Sequence, residues 1–184
     1  EIWRRLTAER ERCSAAERLA AALDTGSGDC ARLESLRAAL ASRDAGRPPF
    51  AALAERLDAE LAACRMARGL EERLNAAIGD CVAIAALERE MEGSPGQGGA
   101  LERVRARLED ELELCATAER FEREIAALLG DCPVLHRLDG QLAELQDTRP
   151  PLDRARAQLN LELELCAKAE SYARALLEAQ SDCD

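Results

Sequence analysis

The sequence predicts an all-α protein: an extended array of 51-residue helical repeats, each a long helix followed by a short one, stapled by disulfides. Three observations carry this reading. The triplet Gly-Asp-Cys occurs as Gly28-Asp29-Cys30, Gly79-Asp80-Cys81 and Gly130-Asp131-Cys132, and a fourth copy survives as Ser181-Asp182-Cys183. A second cysteine stands 17 residues before each of these, at Cys13, Cys64, Cys115 and Cys166, so the eight cysteines alternate at intervals of 17 and 34. The sum is a strict period of 51, the mark of a repeat architecture. Between the cysteines, apolar residues recur at helical spacing.

Composition agrees. Ala, Leu, Glu and Arg dominate, as in long helices and bundles. Aromatics make up only 2% of the chain (Trp3, Phe50, Phe121 and Tyr172), too few for a wide globular core but enough for slim helix–helix seams. The net charge is −11, with acids and bases interleaved, which argues against a nucleic-acid partner because that needs a concentrated basic face. No apolar run reaches membrane-spanning length, so this segment is not expected to insert in a bilayer. Both ends fall inside repeats, and the chain is expected to be a section of a longer array.

Aligned on its period, the chain divides into repeat 1 (1–48, incomplete at its start), repeat 2 (49–99), repeat 3 (100–150) and repeat 4 (151–184, incomplete at its end). The recurring apolar positions are Ile2/Leu53/Val104/Ala155, Leu6/Leu57/Leu108/Leu159 and Leu61/Leu112/Leu163. Beyond the cysteine come Ala16/Ala67/Ala118/Ala169, Leu19/Leu70/Phe121/Tyr172 and Leu23/Leu74/Ile125/Leu176. Steps of three and four residues make one continuous stripe, expected to be bundle core. Each repeat therefore opens with a helix of about 28 residues, roughly 42 Å long.

In repeat 3 that helix is expected from about Leu101 to Leu129. Gly130 then suits the left-handed position after a helix end, and Asp131 suits the N-cap of the next helix. Cys132 would be its first residue, with Pro133 in the first turn, where a missing N–H costs little. The short helices carry Leu33, Leu36 and Leu40, then Ile84, Leu87 and Met91, then Leu135, Leu138 and Leu142. Turns follow at Arg47-Pro48-Pro49, across the Gly-rich segment 93–99, and at Thr148-Arg149-Pro150-Pro151. Repeat 1 departs from the pattern, with Arg10 where later copies place Leu.

Eight cysteines allow 105 pairings, but geometry narrows them. Cys64 and Cys81 are separated mostly by one helix, which holds them roughly 20–25 Å apart. A disulfide needs Cα atoms within about 7 Å, so pairing at 17 residues is excluded. Pairing at 34 closes: the short helix runs out, the chain turns, and the next long helix returns by an equal length. The expected bridges are Cys30–Cys64, Cys81–Cys115 and Cys132–Cys166, with Cys13 and Cys183 left for cysteines of neighbouring copies outside this chain. Each bridge is worth about 3–4 kcal/mol by loop entropy.

This wiring puts three helices in each cross-section: the second half of a long helix, a short helix, and the first half of the next long helix. The arrangement resembles the spectrin-like repeat, whose long helices run from one three-helix unit into the next. The resemblance is one of architecture, over the whole chain. The period is far shorter than a spectrin repeat, spectrin repeats carry no such staples, and no functional residue is carried over.

Other chemistry finds little footing. Zinc sites want close ligand pairs or His partners, whereas the nearest cysteines are 17 apart and His136 is the only histidine. Cys30, Cys81 and Cys132 begin helices, where a dipole favours a reactive thiolate, but each follows an aspartate that opposes it. The acidic runs Glu109-Asp110-Glu111 and Glu162/Glu164 lack calcium-loop spacing and read as outer helix faces. No catalytic constellation or nucleotide fingerprint is present, so no catalytic residue, metal or cofactor is assigned. The expected function is that of a structural, non-enzymatic rod: an extracytoplasmic spacer, stalk, tether or fibre segment, in the periplasm or at the cell surface. Its partners would be neighbouring repeats of the same chain or filament, and envelope or surface proteins. The alternative is a protein- or ligand-binding repeat module, such as a receptor or adhesin ectodomain.

A non-reduced digest read by mass spectrometry is expected to give three cross-linked peptide pairs, each crossing a boundary between copies. A Cys64–Cys81 or Cys115–Cys132 link would mean that the long helix is broken, and the array with it.

Overall fold

A computed structural model describes residues 1–42, 48–92 and 99–181. They form seven helices and no strand: α1 (Ile2–Gly26), α2 (Cys30–Ala41), α3 (Phe50–Ala77), α4 (Cys81–Glu92), α5 (Gly99–Ala127), α6 (Cys132–Glu144) and α7 (Pro150–Ser181). Most of the Gly-rich segment and Cys183 lie outside the described residues.

The junctions from long to short helix share one construction. Gly28, Gly79 and Gly130 take φ of 83°, 91° and 85°, the left-handed region where a side chain is strained. The next residue is an aspartate that works in two directions. Its N–H bonds back to the preceding helix, Asp29 to Gly26 O, Asp80 to Ala77 O and Asp131 to Leu128 O, at 2.8–3.0 Å. Its carboxylate caps the following helix, accepting from Arg32 N at 3.1 Å, Ala83 N at 3.0 Å and Val134 N at 3.3 Å. The cysteine that follows is held at the first helical position each time.

Helix α5 differs slightly from the sequence expectation. It begins two residues earlier, at Gly99, and ends at Ala127 rather than Leu129. The chain tightens there, with Leu128 N donating to Ile125 O at 3.2 Å and Asp131 N donating to Leu128 O at 3.0 Å, each across three residues.

The chain divides into two compact units. The first comprises Glu1–Ala76 and Ala86–Leu108. Its helices are tied by Arg56–Asp24 at 2.6 Å, Arg37–Asp58 at 2.9 Å and Arg73–Glu90 at 2.7 Å. These pairs are exposed and contribute at most about 1 kcal/mol each. Burial of Leu23, Leu33, Leu40, Leu57 and Leu74 stabilises the unit by more.

The second unit comprises Ala77–Ala85 and Glu109–Asp184. Its core joins three helices: Leu114, Ala118, Phe121 and Ile125 from α5, Leu135, Leu138 and Leu142 from α6, and Leu152, Ala155, Leu159 and Cys166 from α7. The turn between α6 and α7 is closed by Arg156, which donates to Leu142 O, in the last turn of α6, at 3.2 Å and to Asp147 O in the loop beyond it.

Two parts of the expected core stripe are corrected. Ile2 and Leu6 at the start of α1, and Ala169, Tyr172 and Leu176 at the end of α7, are exposed. Their spacing matches the buried positions elsewhere, but no other described helix covers them.

Leu135 is fully buried between α5 and α7. Leu135→Ala is expected to lower the stability of the oxidised chain by about 3 kcal/mol, read from the denaturant midpoint. Leu129→Ala, at an exposed position, should cost no more than about 0.5 kcal/mol.

Candidate functional site

The residues with distinctive chemistry are the cysteines. Three disulfides join Cys30 to Cys64, Cys81 to Cys115 and Cys132 to Cys166, with Cα–Cα distances of 5.7, 5.6 and 5.7 Å. Each connects the first residue of a short helix to the middle of the next long helix, across 34 residues. Cys64, Cys115 and Cys166 are buried, which shields these bonds from reductant. Cys13 is exposed and makes no disulfide, and Cys183 lies outside the described residues.

A second set of contacts also recurs at the period of the sequence. Arg103 Nη2 donates to Gly28 O at 2.7 Å, and Arg154 Nη1 donates to Gly79 O at 3.1 Å. The start of α5 thus sits against the turn between α1 and α2, and the start of α7 against the turn between α3 and α4. The approach is close: a Cβ on Gly28 would lie 2.9 Å from the Gly99 carbonyl carbon, and one on Gly79 would lie 2.9 Å from Pro150 Cβ. Glycine is required there by space as well as by φ.

The sequence pattern placed Glu111 on an outer face, and this is corrected. Glu111 is buried, while its neighbours Glu109 and Asp110 are exposed. Its Oε1 accepts from Arg149 Nη1 at 2.8 Å, and its Oε2 has no hydrogen-bond partner. Arg149 also grips Asp147, with Nη2 to Oδ2 at 2.7 Å. That hydrogen bond holds the Asp147 carboxyl below its ordinary range and raises Arg149 above its own, burial opposing both. The sequence carried one signal for Glu111, since Glu60, Glu111 and Glu162 recur at the period. Its burial depends on Arg149 reaching it from 38 residues away, which spacing does not encode.

The open clefts show no convergent chemistry. A furrow of about 250 Å³ beside Cys30 and Cys64 is lined by Arg68, Glu71, Arg103 and Arg107. Arg103 is engaged with Gly28 O, and Arg107 with Asn75 Oδ1 at 2.6 Å and Glu71 at 3.7 Å. Among the described residues no three His, Cys, Asp or Glu side chains are placed to hold a metal ion, and His136 is exposed. No helix among them is long and apolar enough to cross a membrane. Comparison with protein-family models, curated proteins and solved structures finds no match to this chain. The disulfides and their supporting turns therefore stand as the candidate functional feature on their own geometry. Three intramolecular disulfides suggest an oxidising environment.

Arg149→Met leaves the buried Glu111 carboxylate without its cation and is expected to lower stability by about 3 kcal/mol. Adding Glu111→Leu should recover most of that loss in chemical denaturation, because removing both charges lifts the desolvation cost. A double variant no more stable than Arg149→Met would show that the pair is not coupled.

Proposed function

We propose that this chain is a segment of a structural, non-enzymatic rod, an extracytoplasmic spacer, stalk, tether or fibre. In this reading the 51-residue repeats at 1–48, 49–99, 100–150 and 151–184 overlap in spectrin-like three-helix units. The observation that carries it is the identical placement of the three disulfides, each from a short helix's first residue to the middle of the next long helix. Such staples add stability where the apolar core is slim, by about 3–4 kcal/mol per loop of this length. The closing contacts Arg103–Gly28 and Arg154–Gly79, also 51 residues apart, support the same reading. A linear array suits a spanning role because its length follows from the number of copies.

Its setting would be the periplasm or the cell surface, and its partners neighbouring repeats, with envelope or surface proteins at the ends. A second reading, a protein-binding module of a receptor or adhesin, draws on the exposed Trp3 and Tyr172.

Small-angle scattering of the oxidised chain tests the rod. Successive copies should advance by about 25 Å, giving a narrow particle about 100 Å long. A radius of gyration near ~16 Å, that of a globule of this length, would overturn the reading.

A further inference from the structure

The three disulfides share one geometry but not one electrostatic setting. Burial of Cys64, Cys115 and Cys166 leaves the half-buried Cys30, Cys81 and Cys132 as the sulfurs that a soluble thiol can reach. Attack there expels the long-helix cysteine as a thiolate. The side chain four residues on is its neighbour on the same helix face. That neighbour is Arg68 for Cys64, but Glu119 for Cys115 and Glu170 for Cys166.

The furrows beside the first two bridges carry the same contrast. The one lined by Cys30 and Cys64 holds Arg68, Arg103 and Arg107 against one acid, Glu71. Its counterpart beside Cys81 holds Asp80, Glu119 and Glu122 against one base, Arg154. Hydrogen bonds to Gly28 O and Asn75 Oδ1 engage Arg103 and Arg107 but leave their charge in place. Glu34 of α2 also lies 3.9 Å from Arg68, and the arginines still outnumber the acids. Room does not favour the first furrow, which encloses about 250 Å³ against about 390 Å³ at the second. Charge separates them.

We propose that the Cys30–Cys64 bridge is a thiol–disulfide exchange site for small anionic thiols, with Cys30 the sulfur that is modified. The incoming thiolate bonds to Cys30 Sγ, the Cys30–Cys64 bond breaks, and its electron pair leaves on Cys64 Sγ beside Arg68. A second thiolate then attacks the small-thiol sulfur of the mixed disulfide and releases Cys30 as a thiolate. Two small thiols are oxidised to one disulfide, and one protein disulfide is reduced to two thiols. The arginines act twice. They raise the local concentration of the anion, and they stabilise the departing thiolate. Bridge and furrow lie within the first compact unit, so the site does not depend on the rod. Opening this bridge alone frees the segment between Cys30 and Cys64 and leaves the other two staples closed.

The test exposes the full oxidised chain briefly, at low ionic strength, to glutathione, which is anionic, or to cysteamine, which is cationic. Acid quenching, alkylation and peptide mapping then give the opening rate of each bridge with each thiol. Dividing the glutathione rate by the cysteamine rate at one bridge removes differences in accessibility between bridges. That ratio is expected to be at least about threefold higher at Cys30–Cys64 than at Cys81–Cys115. The added thiol should be found on Cys30, with Cys64 alkylated. Arg68→Glu, at an exposed position, should abolish the excess at Cys30–Cys64. Glu119→Arg, also exposed, should raise the ratio at Cys81–Cys115 and leave the first bridge unchanged. A smaller difference between the bridges, an excess that survives Arg68→Glu, a ratio that Glu119→Arg does not move, or adducts mainly on Cys64 would each overturn the proposal.

Discussion

The structure depends on the length of unbroken helix between cysteines. Between Cys64 and Cys81 the chain is helical to Ala77, and between Cys115 and Cys132 it is helical to Ala127. A helix rises about 1.5 Å per residue, so neither cysteine can reach the other within one long helix. Each is forced to bond across helices, and the bridges Cys81–Cys115 and Cys132–Cys166 fix how each short helix lies on the next long one. The glycine turns serve the same constraint. Gly79 and Gly130 reverse the chain within three residues, and Asp80 and Asp131 restart a helix whose first residue is the cysteine. Lengthening that turn would move the sulfur away from its partner.

The staples also decide which parts of the chain can be stretched. A pull along the backbone that reaches Cys30 passes through the disulfide to Cys64, 34 positions further on, and bypasses the residues between them. It then runs along the second half of α3, through Cys81 to Cys115, along the second half of α5, and through Cys132 to Cys166. Each bridge thereby withholds about 120 Å of chain from extension. In the proposed role, the short helices, the turns after them and the first halves of the long helices carry no covalent load. All six prolines fall in these bypassed stretches, at Pro48-Pro49, Pro95, Pro133 and Pro150-Pro151.

What the sequence made legible was local chemistry. The Gly130–Asp131–Cys132 junction could be read because left-handed φ and N-capping are properties of single residues. The burial of Leu135, Leu138 and Leu142 could be read because a stripe of apolar residues on a short helix has one face to bury. Glu111 could not. Three acids in a row look alike in a sequence, and only the approach of Arg149 from the next turn separates the buried one from its exposed neighbours. Nor could the contacts of Arg103 and Arg154 be read, because they join residues 75 apart through carbonyls that any residue carries.

The exposed ends show the limit of periodicity. Ile2, Leu6, Tyr172 and Leu176 satisfy the stripe as well as their buried counterparts do, yet they are open to solvent. A periodic pattern states which face of a helix is apolar; it does not supply the surface that covers it. In a globular domain the chain covers its own faces, so the two statements coincide. In an array each face is covered by the next copy, and the first and last faces have no cover unless a capping segment is present. Here α1 opens with Ile2, Trp3 and Leu6 exposed, and α7 closes with Leu176 and Leu177 exposed, so apolar spacing alone did not determine burial at these positions.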